Sequence, residues 1–423
     1  MFTWLAIAVT ACVSYSLAVV VRILTSREKK IDYEIEHLYS VGDEQFLRSM
    51  GNLLGPAALE QNRITAYLNG DQFFPAMLDA IRAARHTITF ETFIYWQGDI
   101  GREFAEALIE RARAGVKVHV LLDWLGTRKM DPKSVQSMKD AGIEVERYHP
   151  LRWYNLRRAN NRTHRKLLVV DGTVGFTGGA GIADLWTGNA QDPKHWRDSH
   201  FKMEGPVVAQ CQAAFMDNWL KIKNRVLHAE TYFPKLSPAG NSVAQVFMSS
   251  PAEGSESARL MYLMTIASAA KSVKIASAYF VPDDLSVAAL VGARKRGVRV
   301  EIIVPGKYVD TAVTRRAGRS RWGPLLEAGA EIYEYGPTMY HCKVMIVDDL
   351  MTSVGSTNFD SRSFRLNDEA NLNIFDVDFA AGQSAAFEND KAQSRRITFE
   401  EWERRPLSET IMEKFAAVFR SQL

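Results

Sequence analysis

The feature that most constrains this chain is a short motif, His-x-Lys-x4-Asp, which occurs twice. The first copy covers residues 164–171 and the second covers residues 341–348. Each copy supplies an imidazole and a lysine cation, two residues apart, on a short apolar run. Two histidines and two lysines can together bind one phosphate group, so the motifs predict a single site that draws on both halves of the chain.

A longer internal repeat surrounds the two motifs and indicates a duplicated fold. In each half, helix ends are followed by β-rich runs, and a glycine stops a helix before an alternating strand. The matching pairs of segments are 80–90 with 265–275, 114–122 with 296–304, and 141–145 with 328–332. Because strand and helix alternate at βαβ spacing, we expect an α/β fold of two pseudo-symmetric domains, with mixed sheets packed face to face.

Length and composition are typical of a large folded protein. The 423 residues are enough for about two to three domains, and 47% of them are hydrophobic. The net charge of +3 suits an anionic membrane surface without demanding nucleic acid, and three cysteines argue against a disulfide framework. The predicted segments are a transmembrane anchor (1–24), a connector (25–61), a first domain (62–235), a second domain (243–385) and a helical C-terminal tail (386–423).

The N-terminal segment 2–21 carries no charged side chain and, at roughly 30 Å as a helix, is long enough to cross a bilayer. Basic residues follow it at positions 22, 27, 29 and 30, and none precedes it. By the positive-inside rule, the part of the chain that follows this segment is expected in the cytoplasm. We expect an uncleaved single-pass anchor. A cleaved signal peptide is the alternative, although it normally carries positive charge before its apolar run.

Strand geometry separates the residues of each motif into two groups. Side chains two residues apart on a strand face the same side, so the histidine and the lysine of each motif point together. Asp171 lies seven residues after His164 and faces away from it on a continuous strand. We therefore expect Asp171 and its counterpart Asp348 to be structural, bonding nearby backbone or a basic side chain at the strand end.

Two histidines and two lysines suit the chemistry of a phosphodiester. One neutral imidazole can attack phosphorus while the other, protonated, supplies a proton to the leaving alcohol. The lysines can neutralise the non-bridging oxygens. The sequence contains neither His-Glu-x-x-His nor Cys-x-x-Cys, so we predict neither a metal nor another cofactor.

Each imidazole also needs an acceptor that orients its other ring nitrogen, and a carboxylate is the usual one. Asp198 and Glu369 lie at similar distances after the two motifs, and pseudo-symmetry gives one to each histidine. Small residues also follow each motif, in segments 177–181 and 354–358. Such turns let backbone N–H groups and Ser or Asn side chains approach a phosphate.

The paired motifs, the small-residue turns and the Trp-Arg-Asp stretch at 196–198 resemble the phospholipase D superfamily over roughly residues 62–385. Within that superfamily, the N-terminal apolar segment, the Arg-Asp pair and the Asn-Asp-Glu stretch at 367–369 resemble bacterial cardiolipin synthases. The resemblance implies a covalent phosphatidyl-histidine intermediate, usually on the histidine of the first half. It therefore implies that His164 is the nucleophile and that His341 is the general acid and base.

The same resemblance implies roles for the other polar residues of the site. It pairs Asp198 with His341 and Glu369 with His164, across the pseudo-two-fold axis. The residues that it assigns to phosphate binding are Lys166, Lys343 and Asn358.

The two halves differ in their small-residue turns. The family commonly has asparagine at the position of Gly181, the counterpart of Asn358, so the first half lacks one phosphate-facing side chain. Gly179 is likewise the counterpart of Ser356, and both are candidate substrate-binding positions. The sequence therefore predicts a site that is not fully symmetric.

From this resemblance we expect a phosphatidyltransferase of the bacterial inner (cytoplasmic) membrane that makes cardiolipin from phosphatidylglycerol and releases glycerol. Its partners would be phospholipids and the membrane, without nucleic acid, and phosphatidylethanolamine could replace one phosphatidylglycerol. A phospholipase D-type hydrolase with water as the acceptor uses the same residues. A catalytically inactive lipid-binding scaffold is an alternative of another class. The sequence makes no prediction of the oligomeric state.

Two basic clusters are candidates for contact with lipid headgroups. Arginines occur at positions 315, 316, 319 and 321, where a solvated helix face is the default interpretation. The second cluster, residues 153–165, combines four arginines with a tryptophan and a tyrosine. We expect this second cluster at the rim of the cleft or at the membrane interface.

Overall fold

The structure is a computed structural model that describes residues 35–150, 160–250 and 257–423, together with six helical positions between Trp4 and Tyr15. Within these parts of the chain, no helix is both long enough and apolar enough to span a bilayer. The predicted transmembrane segment 2–21 lies outside the described residues, apart from those six positions.

The first half of the described chain alternates helices and strands as the repeat predicts. In chain order its elements are α1 (Glu44–Leu54), β1 (Leu59–Leu68), α2 (Gly70–Ala83), β2 (Thr87–Thr92), α3 (Asp99–Arg113), β3 (Lys117–Asp123), α4 (Pro132–Asp140), β4 (Glu144–Tyr148), β5 (Leu167–Val170), β6 (Val174–Gly178), β7 (Ser199–Glu204) and α5 (Val208–Lys223).

The second half repeats this order and adds a C-terminal layer. Its elements are β8 (Ser242–Ser249), α6 (Ser257–Ala267), β9 (Ser272–Ser277), α7 (Asp284–Lys295), β10 (Arg299–Pro305), α8 (Ala312–Arg319), α9 (Trp322–Glu327), β11 (Glu331–Tyr335), β12 (Lys343–Val347), β13 (Met351–Gly355), α10 (Ser361–Arg365), β14 (Glu369–Phe375), α11 (Val377–Ala392), β15 (Ser394–Ile397), α12 (Phe399–Glu403) and α13 (Leu407–Ala417).

Both halves have the same sheet topology. The strand order is β4-β3-β2-β5-β6-β7-β1 in the first half and β11-β10-β9-β12-β13-β14-β8 in the second. In each half the first three of these strands are parallel and the others are antiparallel. The predicted α/β class with mixed sheets is confirmed. An unpredicted antiparallel contact between β1 and β8 also joins the halves into one 15-stranded sheet within the described residues.

Hydrophobic side chains form an outer core in each half and an inner core that both halves share. The outer cores lie between the sheets and the helices α2 and α3 in the first half, and α6 and α7 in the second. The inner core combines Leu167 and Trp219 of the first half with Val354 and Leu372 of the second. Because one core is built from both halves, the two domains pack face to face, as predicted.

Equivalent glycines end equivalent helices in the two halves. Gly115 follows α3 and Gly297 follows α7, with φ angles of 93° and 89°. A Cβ atom at either position would meet no atom within 4 Å. Glycine is therefore favoured here by the left-handed backbone conformation, which lets the helix stop and the next strand begin.

The C-terminal region differs from the predicted helical tail at residues 394–397. These residues form β15, which pairs antiparallel with β11 and places Ile397 opposite Ile332. Ile397 is buried, and the pairing covers the otherwise open edge of β11. The strand was missed because a four-residue segment with two arginines carries little β-strand signal of its own.

Candidate active site

Each motif histidine lies just before a buried strand and is tied to the backbone of the other half. The backbone N–H of His164 donates to the carbonyl of Asp368 over 2.8 Å, and that of His341 donates to the carbonyl of Arg197 over 2.7 Å. Asp368 and Arg197 immediately precede Glu369 and Asp198 in the sequence. The two backbone contacts therefore bring one carboxylate of each half to the histidine of the other.

The side chains of these residues form two histidine–carboxylate pairs. Nδ1 of His164 lies 3.0 Å from Oε2 of Glu369, and Nδ1 of His341 lies 2.7 Å from Oδ2 of Asp198. Both carboxylates are fully buried. A carboxylate at Nδ1 favours the tautomer that carries its proton there, which leaves the lone pair of Nε2 available for chemistry.

Further hydrogen bonds hold each carboxylate in place. Glu369 accepts from the hydroxyls of Ser356 and Ser363 over 2.5 and 2.7 Å. Asp198 accepts from the indole N–H of Trp186 over 3.0 Å and from the backbone N–H of the next residue over 2.8 Å. Ser363 and Trp186 were not identified from the sequence, because neither lies in a motif and only the fold brings them to the carboxylates.

The two motif lysines are buried within the same site. Nζ of Lys166 donates to the carbonyl of His164 over 2.6 Å, and Nζ of Lys343 donates to that of His341 over 2.7 Å. Burial lowers the pKa of Lys166 to about 7, Glu369 opposes this effect, and the charge of Lys343 adds to it. The pKa of Lys343 is also lowered, chiefly by burial. Two cations close enough to influence each other can act on one anionic ligand.

The surroundings of both histidines lower their pKa, which favours the neutral imidazole. Burial lowers the pKa of His164 to about 4, and the charges of Lys166 and Lys343 act in the same direction. Burial and the charge of Lys343 also lower the pKa of His341. A neutral imidazole keeps its lone pair, so it can act as a nucleophile or a base.

Aromatic side chains wall the site on both sides. The ring of Phe93 lies 5.2 Å from that of His164, and the rings of Trp186 and Trp196 lie 5.3 and 5.4 Å from that of His341. Such walls keep water away from the imidazoles and strengthen the electrostatic interactions among the charged groups. Among the residues described, no cluster of three or more His, Cys, Asp or Glu side chains is arranged to hold a metal ion.

The small-residue turns explain why the two halves differ. Asn358 is buried, and its side-chain oxygen has no hydrogen-bond partner within the described part of the chain. At the equivalent Gly181, a Cβ atom would lie 2.6 Å from the Cβ of Ile94, so a larger residue does not fit without movement. At Gly179, a Cβ would lie 2.3 Å from Oδ1 of Asp198, whereas its counterpart Ser356 donates a hydrogen bond to a carboxylate.

We expect Gly179→Ala to lower the turnover rate by about 10²-fold, because the added methyl must push Asp198 away from His341. Steady-state kinetics with a thermal melt would check this, and Gly382→Ala is the matched control because a Cβ there meets nothing within 4 Å. A rate that stays within about three-fold of wild type in Gly179→Ala would contradict the proposed contact.

The aspartates of both motifs lie at strand ends and bond backbone. Asp171 accepts from the consecutive N–H groups of Arg85, His86 and Thr87 over 2.7–2.8 Å. The carboxylate of Asp348 likewise accepts hydrogen bonds from the backbone N–H groups of residues 270–272. Each aspartate thereby fixes the turn that leads from a helix into a central strand, β2 in the first half and β9 in the second.

We expect Asp171→Ala to lower the free energy of unfolding by about 3 kcal/mol, because three hydrogen bonds to a charged acceptor are lost. The turnover of the folded fraction should stay close to wild type. Urea denaturation measures the first effect, and Asp79→Ala, at an exposed helix position, serves as the control. A large loss of turnover in a variant of unchanged stability would show that Asp171 takes part in the reaction.

The prediction that the second basic cluster lies at the cleft rim or membrane interface is wrong for its described residues. Arg165 is fully buried and donates to the carbonyls of Glu369, Ala214 and Ser249. Arg162 is also buried and donates to the carbonyl of His149. Arg165 thus satisfies backbone acceptors of both halves, and Arg162 satisfies one of the first half. Residues 151–159 of this cluster lie outside the described residues.

The first basic cluster is largely paired with acidic side chains. Arg315 contacts Glu334 over 2.6 Å, and Arg319 lies 3.5 Å from both Glu409 and Glu413. Arg321 pairs with Asp284. Arg316 is exposed on the surface of α8. Most of this cluster therefore forms ion pairs, and the default interpretation of a solvated helix face fits only Arg316.

Comparisons with known proteins bear on the whole chain. A family model described as "Cardiolipin synthase, PLD-like domain" matches residues 77–192 and 262–391. The chain is 36% identical over 374 residues to cardiolipin synthase 1 of Bacillus anthracis. The aligned region covers 85% of this chain and 72% of that protein. It is 36% identical over 354 residues to the major cardiolipin synthase of Bacillus subtilis (strain 168), covering 82% and 73% of the two chains.

A third relative comes from Pseudomonas. Cardiolipin synthase A of Pseudomonas fluorescens is 34% identical over 356 residues, covering 84% of this chain and 74% of that protein. Among solved structures, the phosphatidylserine synthase of Haemophilus influenzae aligns with a TM-score of 0.67 over 89% of this chain and 99% of its own. At 18% identity, that likeness shows the fold alone. The predicted resemblance to the phospholipase D superfamily is confirmed.

Proposed function

Since the chain belongs to the "Cardiolipin synthase, PLD-like domain" family, we propose that it is a phosphatidyltransferase that makes cardiolipin from two molecules of phosphatidylglycerol and releases glycerol. The observation that carries this proposal is the pair of buried histidines, each held at Nδ1 by a carboxylate of the other half. Two buried lysines beside them supply the charge that an anionic phosphodiester needs.

The first half of the reaction transfers the phosphatidyl group to the protein. Nε2 of His164 attacks the phosphorus of one phosphatidylglycerol and forms a phosphorus–nitrogen bond. The bond between phosphorus and the headgroup oxygen breaks, and His341, protonated once the anionic substrate is bound, gives its proton to the leaving glycerol. Glu369 stabilises the positive charge that develops on His164 during the attack.

The second half of the reaction releases cardiolipin. His341, now neutral, takes a proton from a headgroup hydroxyl of a second phosphatidylglycerol. The resulting oxygen nucleophile attacks phosphorus, the phosphorus–nitrogen bond breaks, and His164 is regenerated. Phosphatidylethanolamine could replace phosphatidylglycerol only as the donor of the first step, with ethanolamine leaving in place of glycerol, because its headgroup has no hydroxyl to attack phosphorus. The residues proposed to bind the phosphate through both halves are Lys166, Lys343, Asn358, Ser356 and the backbone at Gly179.

The pH dependence of kcat/KM should reflect the buried lysine. A lysine carries its charge below its pKa, and the pKa of Lys166 is lowered to about 7, so kcat/KM should fall by up to about ten-fold per pH unit above pH 7. Below about pH 4, protonation of His164 should also remove activity. In Lys166→Arg the guanidinium stays charged, so the alkaline fall should move to higher pH even if the rate is lower. An unchanged alkaline fall would mean that another group titrates.

The hydrolase alternative uses the same residues with water as the acceptor in the second step. The scaffold alternative requires a site that binds lipid without turning it over. The two histidines, each with Nδ1 held by a buried carboxylate, favour a working site over a scaffold. The family relationship favours an alcohol over water as the acceptor.

The deciding experiment incubates the purified protein with vesicles of phosphatidylglycerol that carries a deuterated glycerol headgroup, in water enriched in ¹⁸O. Mass spectrometry then resolves the products. One deuterated glycerol released for each cardiolipin supports transfer. Phosphatidic acid that contains ¹⁸O, without cardiolipin, would replace the proposal with hydrolysis, and no product would replace it with the scaffold.

The location and organisation of the chain belong to the same proposal. The charge-free segment 2–21 would anchor the chain in the bacterial inner membrane as a single span, with the catalytic part in the cytoplasm. Residues 62–235 and 243–385 would be the two phospholipase D-like domains, preceded by a connector at 25–61 and followed by the tail from 386. The shared inner core supports treating the two domains as one catalytic unit.

A further inference from the structure

The C-terminal helix α13 has an unusual distribution of side chains. Its large apolar residues Leu407, Ile411 and Phe415, together with Val418 directly after its end, are 74%, 58%, 69% and 67% exposed. Their spacing of four, four and three residues places them in one stripe on a helix. Within the described part of the chain, this stripe groups several large exposed apolar side chains on one helix.

The opposite face of α13 carries the charges. Glu413 is buried, at 2% exposure, and contacts Arg405 over 2.8 Å and Arg319 over 3.5 Å. Glu409 also lies 3.5 Å from Arg319. A helix on the surface of a soluble protein normally turns its apolar face inward and its charges outward. In α13 the ion pairs fasten the helix to α8, and the apolar stripe faces outward.

The helix lies against the segments that lead to the active site. It packs on α8, which begins directly after Asp310 and Thr311. The hydroxyl of Tyr279 donates to the carboxylate of Asp310, and the ring of Tyr279 lies 6.3 Å from that of His341. The final residue, Leu423, accepts from the backbone N–H of Arg362 in α10. The tail therefore contacts elements that adjoin both the His341 side and the phosphate-binding turn.

We propose that the apolar stripe of α13 is the surface by which the catalytic domain docks on the lipid bilayer that holds its substrates. Exposed cations occur at Lys414 on α13 itself, at Arg404 just before it and at Arg316 on the neighbouring α8, which suits an anionic lipid surface. Helices that lie in a membrane interface combine an outward apolar face with nearby cations. Docking through α13 would bring α8, and with it the Tyr279 side of the active site, close to the headgroups. This inference rests on the proposed function.

The first test measures whether the stripe enters lipid. A single cysteine at Ile411→Cys, in a Cys12→Ser background of the full chain, is labelled with an environment-sensitive dye. The other two cysteines, Cys211 and Cys342, are buried. Vesicles of phosphatidylglycerol and phosphatidylcholine that carry a quencher on the acyl chains should quench this dye strongly. The same dye at Lys133→Cys, on exposed α4, should be quenched weakly, and equal quenching at both positions would overturn the proposal.

The second test measures what docking contributes to activity. The double variant Ile411→Asp, Phe415→Asp should lose about ten-fold or more of its rate on phosphatidylglycerol vesicles. Its rate on dihexanoyl-phosphatidylglycerol, kept below the concentration at which it forms micelles, should stay within about two-fold of wild type. The control Val226→Asp, Val377→Asp adds the same charges at exposed apolar sites elsewhere and should retain both rates.

The remaining outcomes separate this inference from its alternatives. Equal losses on vesicles and on the short-chain lipid would mean that the stripe supports the fold, and would overturn the proposal. A wild type that is dimeric and not quenched by lipid, with a double variant that is monomeric, would mean that the stripe binds a second copy of the chain. This result would also overturn the proposal. If the wild type makes no cardiolipin but the dye is quenched by lipid, the proposed function fails and the docking surface stands.

Discussion

Replacing His164 with alanine is expected to lower cardiolipin formation by about 10⁴-fold or more, because the variant lacks the atom that attacks phosphorus. The lysines, the carboxylates and His341 would still bind substrate, so KM should change far less than kcat. The measurement is the initial rate of cardiolipin formation in phosphatidylglycerol vesicles, with the folded state checked by a thermal melt.

Two further variants make this result specific. His228→Ala, at an exposed histidine outside the site, should retain the wild-type rate. His341→Ala should also be strongly impaired, because both proposed steps need its proton transfer. If His164→Ala kept more than about one hundredth of the wild-type rate while His341→Ala kept none, the roles of the two histidines would be reversed.

Neutralising the partner carboxylates is expected to have the next largest effect. Glu369→Gln and Asp198→Asn should each lower kcat by about 10²–10⁴-fold, because an amide no longer stabilises an imidazolium or selects the tautomer with its proton on Nδ1. Nδ1 of each histidine lies within 3.0 Å of its carboxylate, and both carboxylates are fully buried, so water cannot easily replace them.

The control for these variants is Glu103→Gln, at an exposed helix position, which should leave kcat unchanged. Both kcat and KM should be measured, since an orienting residue acts mainly on kcat. If Glu369→Gln and Asp198→Asn kept kcat within about three-fold of wild type, the carboxylates would have no part in activating the histidines.

Periodicity in the sequence was sufficient to predict the duplicated α/β fold, because the repeated helix ends and alternating strands are local features. The same strand geometry led to the expectation that Asp171 lies away from the histidines, and in the structure it bonds the backbone of residues 85–87. The contact between β1 and β8 could not be predicted, since it depends on how the two halves pack rather than on either strand.

Other parts of the site depend on contacts that no local pattern encodes. Ser363 and Trp186 reach the carboxylates only through the folded arrangement of distant segments. Arg165 was expected at a surface because arginine is usually exposed, yet it satisfies three buried carbonyls between the halves. The difference between Gly181 and Asn358 was visible in the sequence, but its physical reason, the approach of Ile94, required the structure.

The central claim is that one asymmetric site, assembled from two halves, passes a phosphatidyl group through His164. It is tested most directly by trapping the intermediate. The protein is mixed with phosphatidylglycerol, quenched within milliseconds in alkaline denaturant because phosphohistidine is acid-labile, digested, and analysed by tandem mass spectrometry. A phosphatidyl group is expected on the peptide that contains His164, and none is expected in His164→Ala. A phosphatidyl group on His341, or cardiolipin formation without any adduct, would contradict it.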